Sequence, residues 1–115
     1  MKTKSNGSRK KLPPVWAKKV ARLEEVVAHE FGHELDELWK PTRNITSVWA
    51  RWVIWHYMTK WNIPLNQISR HCGFSQTSPS YGSVKLRDEL THSAELQEMF
   101  LNVANELNTP SETTE

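Results

Sequence analysis

The most explicit chemical string in the chain is His29-Glu30-Phe31-Gly32-His33. It matches H-E-x-x-H, in which two imidazoles one helical turn apart hold Zn²⁺ and the glutamate acts as general base in peptide hydrolysis. A catalytic zinc needs a third protein ligand, and the extended motif places Gly and then His at fixed offsets past the second His. Here Asp36 and Trp39 stand at those offsets, leaving His56, His71 and Glu89 as the remaining donors. At about 100° per residue, His29 points roughly 160° away from the stripe of Trp16, Val20, Leu23 and Val27, so it should face solvent. Gly32, followed by a new apolar pattern of Leu35, Leu38 and Trp39, ends the helix and leaves His33 beyond it. A zinc-dependent metallopeptidase using His29 and His33 is therefore the alternative reading, and the leading one assigns no metal, cofactor or catalytic residue.

A second kind of chemistry is carried by charge. Net charge is only +2, yet from Leu38 through Arg87 there is no Asp or Glu, while Lys40, Arg43, Arg51, Lys60, Arg70, Lys85 and Arg87 are all basic. Such segregation gives one basic surface on a nearly neutral protein, the footprint of a phosphate-binding face; the bland alternative is a solvated basic surface. Within this stretch, residues 62–91 read as two helices around a tight polar turn. Asn62 is the expected cap of the first, with Pro64 in its first turn and Leu65, Ile68 and Cys72 on one face. Gly73 should end it in a left-handed conformation, and Ser78 followed by Pro79 should start the second. Two helix signals this close leave room only for a turn, so the segment is expected to be a helix-turn-helix.

The remaining elements must position that motif. A chain of 115 residues with ordinary apolar content is expected to form one domain over residues 13–108, with a disordered basic arm at 1–12 and a disordered tail at 109–115. The single Cys72 excludes an intrachain disulfide, no apolar run reaches membrane-span length, and no signal-peptide core follows the basic start. A soluble, cytoplasmic protein is expected. Pro13 and Pro14 should open a helix whose stripe is Trp16, Val20, Leu23, Val27 and Phe31, followed by a short helical segment near Glu34–Trp39. Lys40–Asn44 is a loop, and Asn44 or Thr46 can cap the next helix. From Val48 to Trp61 apolar residues surround that helix, which marks it as central, its aromatics being core rather than a base-stacking platform. Arg51 is the exception, expected to reach a surface phosphate because burial without a partner is costly. Ser93 should cap a last helix with Leu96, Met99, Phe100, Val103 and Leu107 inward. The fold class is all-α, a helical bundle containing a helix-turn-helix.

Several of these strings occur together in one family. Leu23-Glu-Glu-Val-Val-Ala-His-Glu-Phe-Gly, Leu35-Asp-Glu-Leu, a basic loop with Arg43, Ala50-Arg51 in the central helix, Leu65-Asn-Gln-Ile and Gly73 together resemble the C-terminal DNA-binding domain of the bacterial replication initiator DnaA, over roughly residues 19–107. The resemblance implies a Trp-repressor-like helix-turn-helix on double-stranded DNA, with Arg43 in the minor groove and Arg51 helping to hold the duplex. It implies Ser80, Tyr81, Ser83, Lys85 and Arg87 as groove or phosphate contacts, Asn66 on the supporting helix, and Lys40, Gln76, Thr77 and Ser78 on the approaches. The family's Gly-Gly-Arg-Asp-His-Thr-Thr-Val signature is replaced here by Gly73-Phe-Ser-Gln-Thr-Ser-Pro-Ser-Tyr-Gly-Ser-Val84. The family's DNA sequence therefore does not carry over. No Gly-x-x-x-x-Gly-Lys-Ser/Thr loop is present, so neither does its ATPase activity. The expected role is a non-catalytic regulator of replication or transcription from a phage or mobile element. Its expected partners are duplex DNA and, beyond it, a second copy of the chain or a host replication or transcription protein.

Overall fold

In the computed structural model, which describes residues 12–40 and 44–109, Pro13 and Pro14 open the first helix and only α-helices and one short 3-10 turn succeed it. The basic arm, the C-terminal tail and Arg43 lie outside the described residues, apart from the positions where arm and tail meet the domain. α1 spans Pro14–Phe31, with Val20, Leu23, Val27 and Phe31 buried as the stripe requires and Trp16 half-buried. Gly32 ends it at φ 74°, where the His33 N–H reaches back to the Ala28 carbonyl. This is the left-handed stop that glycine adopts without a Cβ clash. A 3-10 turn at Leu35–Glu37, closed by a reciprocal Glu34–Glu37 capping box, then buries Leu38 and Trp39.

α2, Ile45–Lys60, begins three residues earlier than its apolar run, because Asn44 Oδ1 accepts from the Thr46 and Ser47 N–H groups and fixes the start. Its buried residues point in all directions, and it packs against α1, α3 and α4. It is the core helix of the bundle. Its stop overturns one sequence expectation: Asn62 does not cap the next helix but ends this one at φ 63°, with the Ile63 N–H bonded to the Met58 carbonyl. Asparagine tolerates that conformation better than other residues with a Cβ.

α3, Leu65–Cys72, starts after Pro64, whose carbonyl accepts from Gln67 and Ile68. Ile68 and Cys72 are buried as expected, but Leu65 is 38 % exposed. Gly73 ends it at φ 80°. α4, Thr77–Leu90, includes both residues expected to start it: Ser78 is not the cap, its N–H bonding instead to the Ser75 carbonyl, and Pro79 is buried in the first turn. Proline is tolerated there because the first N–H groups of a helix have no intrahelical partner. α5, Ala94–Asn108, is capped by Ser93 Oγ on the Leu96 N–H and lies across α1 and α4 with Leu96 and Val103 buried. The molecule is all-α, and among the described residues no helix is long and apolar enough to cross a membrane.

Candidate nucleic-acid interface

α4 is two-faced. Its inner face is Pro79, Gly82 and Leu86, all buried, and its closest approach is made by Gly82. A Cβ there would lie 2.5 Å from Trp55 Cε3 and 2.9 Å from Trp52 Cδ1, so only glycine lets the helix sit this deep on α2. The opposite face carries Thr77, Ser80, Tyr81, Val84 and Arg87, all exposed, with Lys85 half-buried on one flank. Tyr81 and Val84 are 62 % and 59 % exposed. The Lys85 ammonium lies 5.9 Å from the Tyr81 ring centroid. No acid occurs on α4 before Asp88, so the positive N-terminal half of the helix is uncompensated.

The turn before α4 is set by aromatic packing. Phe74 lies 5.5 Å from Trp55 and 6.3 Å from Trp39, centroid to centroid, and the Ser69 hydroxyl donates to its carbonyl. Over the Phe74 ring, at 5.3 Å, sits the Arg51 guanidinium. Arg51 therefore does not reach out to a surface phosphate as expected. It is 6 % exposed, donates to the Lys40 carbonyl at 3.2 Å, and is held below the usual arginine pKa by burial, with Cys72 acting in the opposite sense. The partner that makes burial tolerable is supplied by the fold, joining the loop before α2 to the turn before α4.

α3 is oriented from below. Glu24 Oε2 on α1 accepts from Trp39 Nε1 at 3.0 Å and lies 2.6 Å from His71 Nε2, both side chains of the His71–Glu24 pair being largely buried. On the outer side of α3, Asn66 and Arg70 are one turn apart and exposed. Asn66 is among the expected contacts. Arg70 enters the sequence reading only as bulk charge, although its i+4 spacing from Asn66 is plain in the sequence.

The other expected contacts divide. Lys40, Gln76, Thr77, Ser80, Tyr81 and Arg87 are exposed, whereas Ser78 is half-buried with its hydroxyl 3.4 Å from that of Ser75. Ser83 does not face outward as expected: its Oγ is buried, without a hydrogen-bond partner among the described residues, because its position on the helix falls toward the inner face.

The two histidines of the zinc-like string are turned to different neighbours. His29 is exposed and lines a groove with Glu25, Glu30 and Asn102 between α1 and α5, where Glu30 accepts from Asn102 at 2.9 Å. His33 lies past the helix end with Nε2 2.9 Å from Thr46 Oγ1. The same nitrogen lies 3.3 Å from Ser47 Oγ, so both hydroxyls of the first turn of α2 face it. Among the described residues, no three His, Cys, Asp or Glu side chains cluster as a metal site. No family model, curated protein or solved structure matches the chain.

Proposed function

We propose that this chain is a non-catalytic binder of double-stranded DNA that resembles the DnaA C-terminal domain. In this reading α3 and α4 form the helix-turn-helix and the outer face of α4 enters the major groove. The observation that carries it is the outer stripe of α4. Thr77 and Ser80 supply hydroxyls for phosphates or base edges, Tyr81 and Val84 supply apolar contact to thymine methyls, and Lys85 and Arg87 supply phosphate charge. Asn66 and Arg70 on α3 fit the phosphate-anchoring role of a supporting helix. Asp88 confines the reading to the first three turns, because a carboxylate facing the duplex is repelled. The role proposed for it is regulation of replication or transcription in a phage or mobile element.

The experiment is binding to duplexes selected from a random pool, monitored over a salt series. Wild-type protein should bind with an affinity that falls steeply with salt, and Lys85→Ala and Arg87→Ala should each reduce the log–log slope by about one. Tyr81→Ala should weaken the selected duplex by about tenfold while leaving the salt slope unchanged. Absence of binding at low salt, or affinity indifferent to salt, overturns the proposal.

A further inference from the structure

A second site lies where α1, the end of α2 and α5 meet. Lys18, Lys19, Arg22 and Lys60 converge around a cleft of about 490 Å³ floored by Tyr57 and Trp61, and among the described residues no carboxylate lines it. That volume falls in the range of small-ligand sites. Arg22 is held in place by α5, its Nη2 donating to the Glu106 carbonyl at 2.9 Å and to that of Thr109 at 3.3 Å. The Glu106 carboxylate lies 3.9 Å from the same nitrogen and is not among the residues lining the cleft. Two of the lysines rest on the aromatic floor, Lys19 Nζ at 4.7 Å from the Trp61 ring and Lys60 Nζ at 5.7 Å from the Tyr57 ring.

Several cations gathered at one cleft raise the local concentration of anions. An anion carrying a planar ring satisfies both halves of the cleft at once. The ammonium groups leave the ring faces, where they gain little, for stronger charge-assisted hydrogen bonds, and the ring takes their place on the indole and phenol. We propose that this cleft binds a nucleoside phosphate, with the phosphate between Lys18, Lys19 and Lys60 and the base on Trp61 and Tyr57. Either a free nucleotide or the phosphorylated end of a nucleic-acid strand presents that chemistry. None of these residues belongs to the α4 stripe.

The test is calorimetric titration of the full chain, with tryptophan fluorescence as a second readout, using ADP, adenosine, inorganic phosphate and a 5′-phosphorylated single-stranded oligonucleotide with its unphosphorylated form. ADP should bind at sub-millimolar concentration and quench fluorescence, and should bind about tenfold tighter than adenosine or phosphate alone. Lys19→Gln with Lys60→Gln should weaken it by about tenfold or more, with the circular dichroism spectrum unchanged and Tyr81→Ala binding ADP as wild type does. Preference for the 5′-phosphorylated oligonucleotide over ADP would assign the strand end as the source. No binding of ADP or the phosphorylated strand at about 1 mM, phosphate binding as well as ADP, or affinity unchanged in the double lysine variant would each overturn the site.

Discussion

At Gly82 the absence of a single carbon decides how deeply a helix sits. Alanine is the better helix former by up to about 1 kcal/mol, so propensity alone favours Gly82→Ala. The steric term opposes it, because the added carbon meets two indole rings at 2.5 and 2.9 Å that are themselves packed and cannot yield cheaply. Overpacking costs about 1–3 kcal/mol, and the net expectation is a loss of about 1–2 kcal/mol in urea unfolding. An unchanged or higher midpoint would mean that α4 shifts outward freely. Arg51 obeys the reverse logic, a charge drawn inward because the Lys40 carbonyl and the Phe74 ring await it. Nothing local to Arg51 signals those partners, which lie eleven residues before it on a loop and beyond the end of α3.

At the scale of elements, α1, α2 and α5 were legible because each carries an apolar stripe or an all-round apolar surface, and Gly32, Asn44 and Ser93 act as the stops and caps their types predict. α4 was legible as a helix but not in its register. Its inner face is Pro79, Gly82 and Leu86, a pattern with almost no hydrophobic periodicity, and Ser78-Pro79 imitates a cap inside the first turn. The buried Glu24 link between α1, Trp39 and His71 was invisible for the same reason that Arg51 was, since it joins residues 15 and 47 positions apart. Glu24→Ala leaves two buried donors without their acceptor and should cost about 2–3 kcal/mol. Hydrogen exchange locates the effect: protection should fall in α3 more than in α5, and a uniform loss would deny Glu24 its role in seating α3.

For the whole molecule, His56 reports on assembly of the bundle. It sits half-buried on α2, its ring 5.5 Å from Phe100 of α5, and its pKa is lowered chiefly by burial and further by Lys60 and Arg87. A histidine with a lowered folded pKa takes up its proton more readily unfolded, so stability rises with pH between the lowered value and the ordinary 6.5, and is lost as pH falls through that window. Melting temperatures across that range should flatten in His56→Gln, and an unaltered slope would place the titration elsewhere. The outer face of α4 was legible in its charge, which composition along the chain records, and Ser80, Tyr81 and Arg87 are exposed on it with Lys85 half-buried. It was not legible in Ser83, whose direction depends on how α4 rolls about Gly82. That roll separates two kinds of constraint on one helix. The positions that hold α4 in place are Pro79, Gly82 and Leu86, and the exposed positions Thr77, Ser80, Tyr81 and Val84 contribute little to packing. Exchanges along the exposed row should stay within about 0.5 kcal/mol of neutral for folding. The outer row can therefore be exchanged by point substitution with the scaffold beneath it left intact.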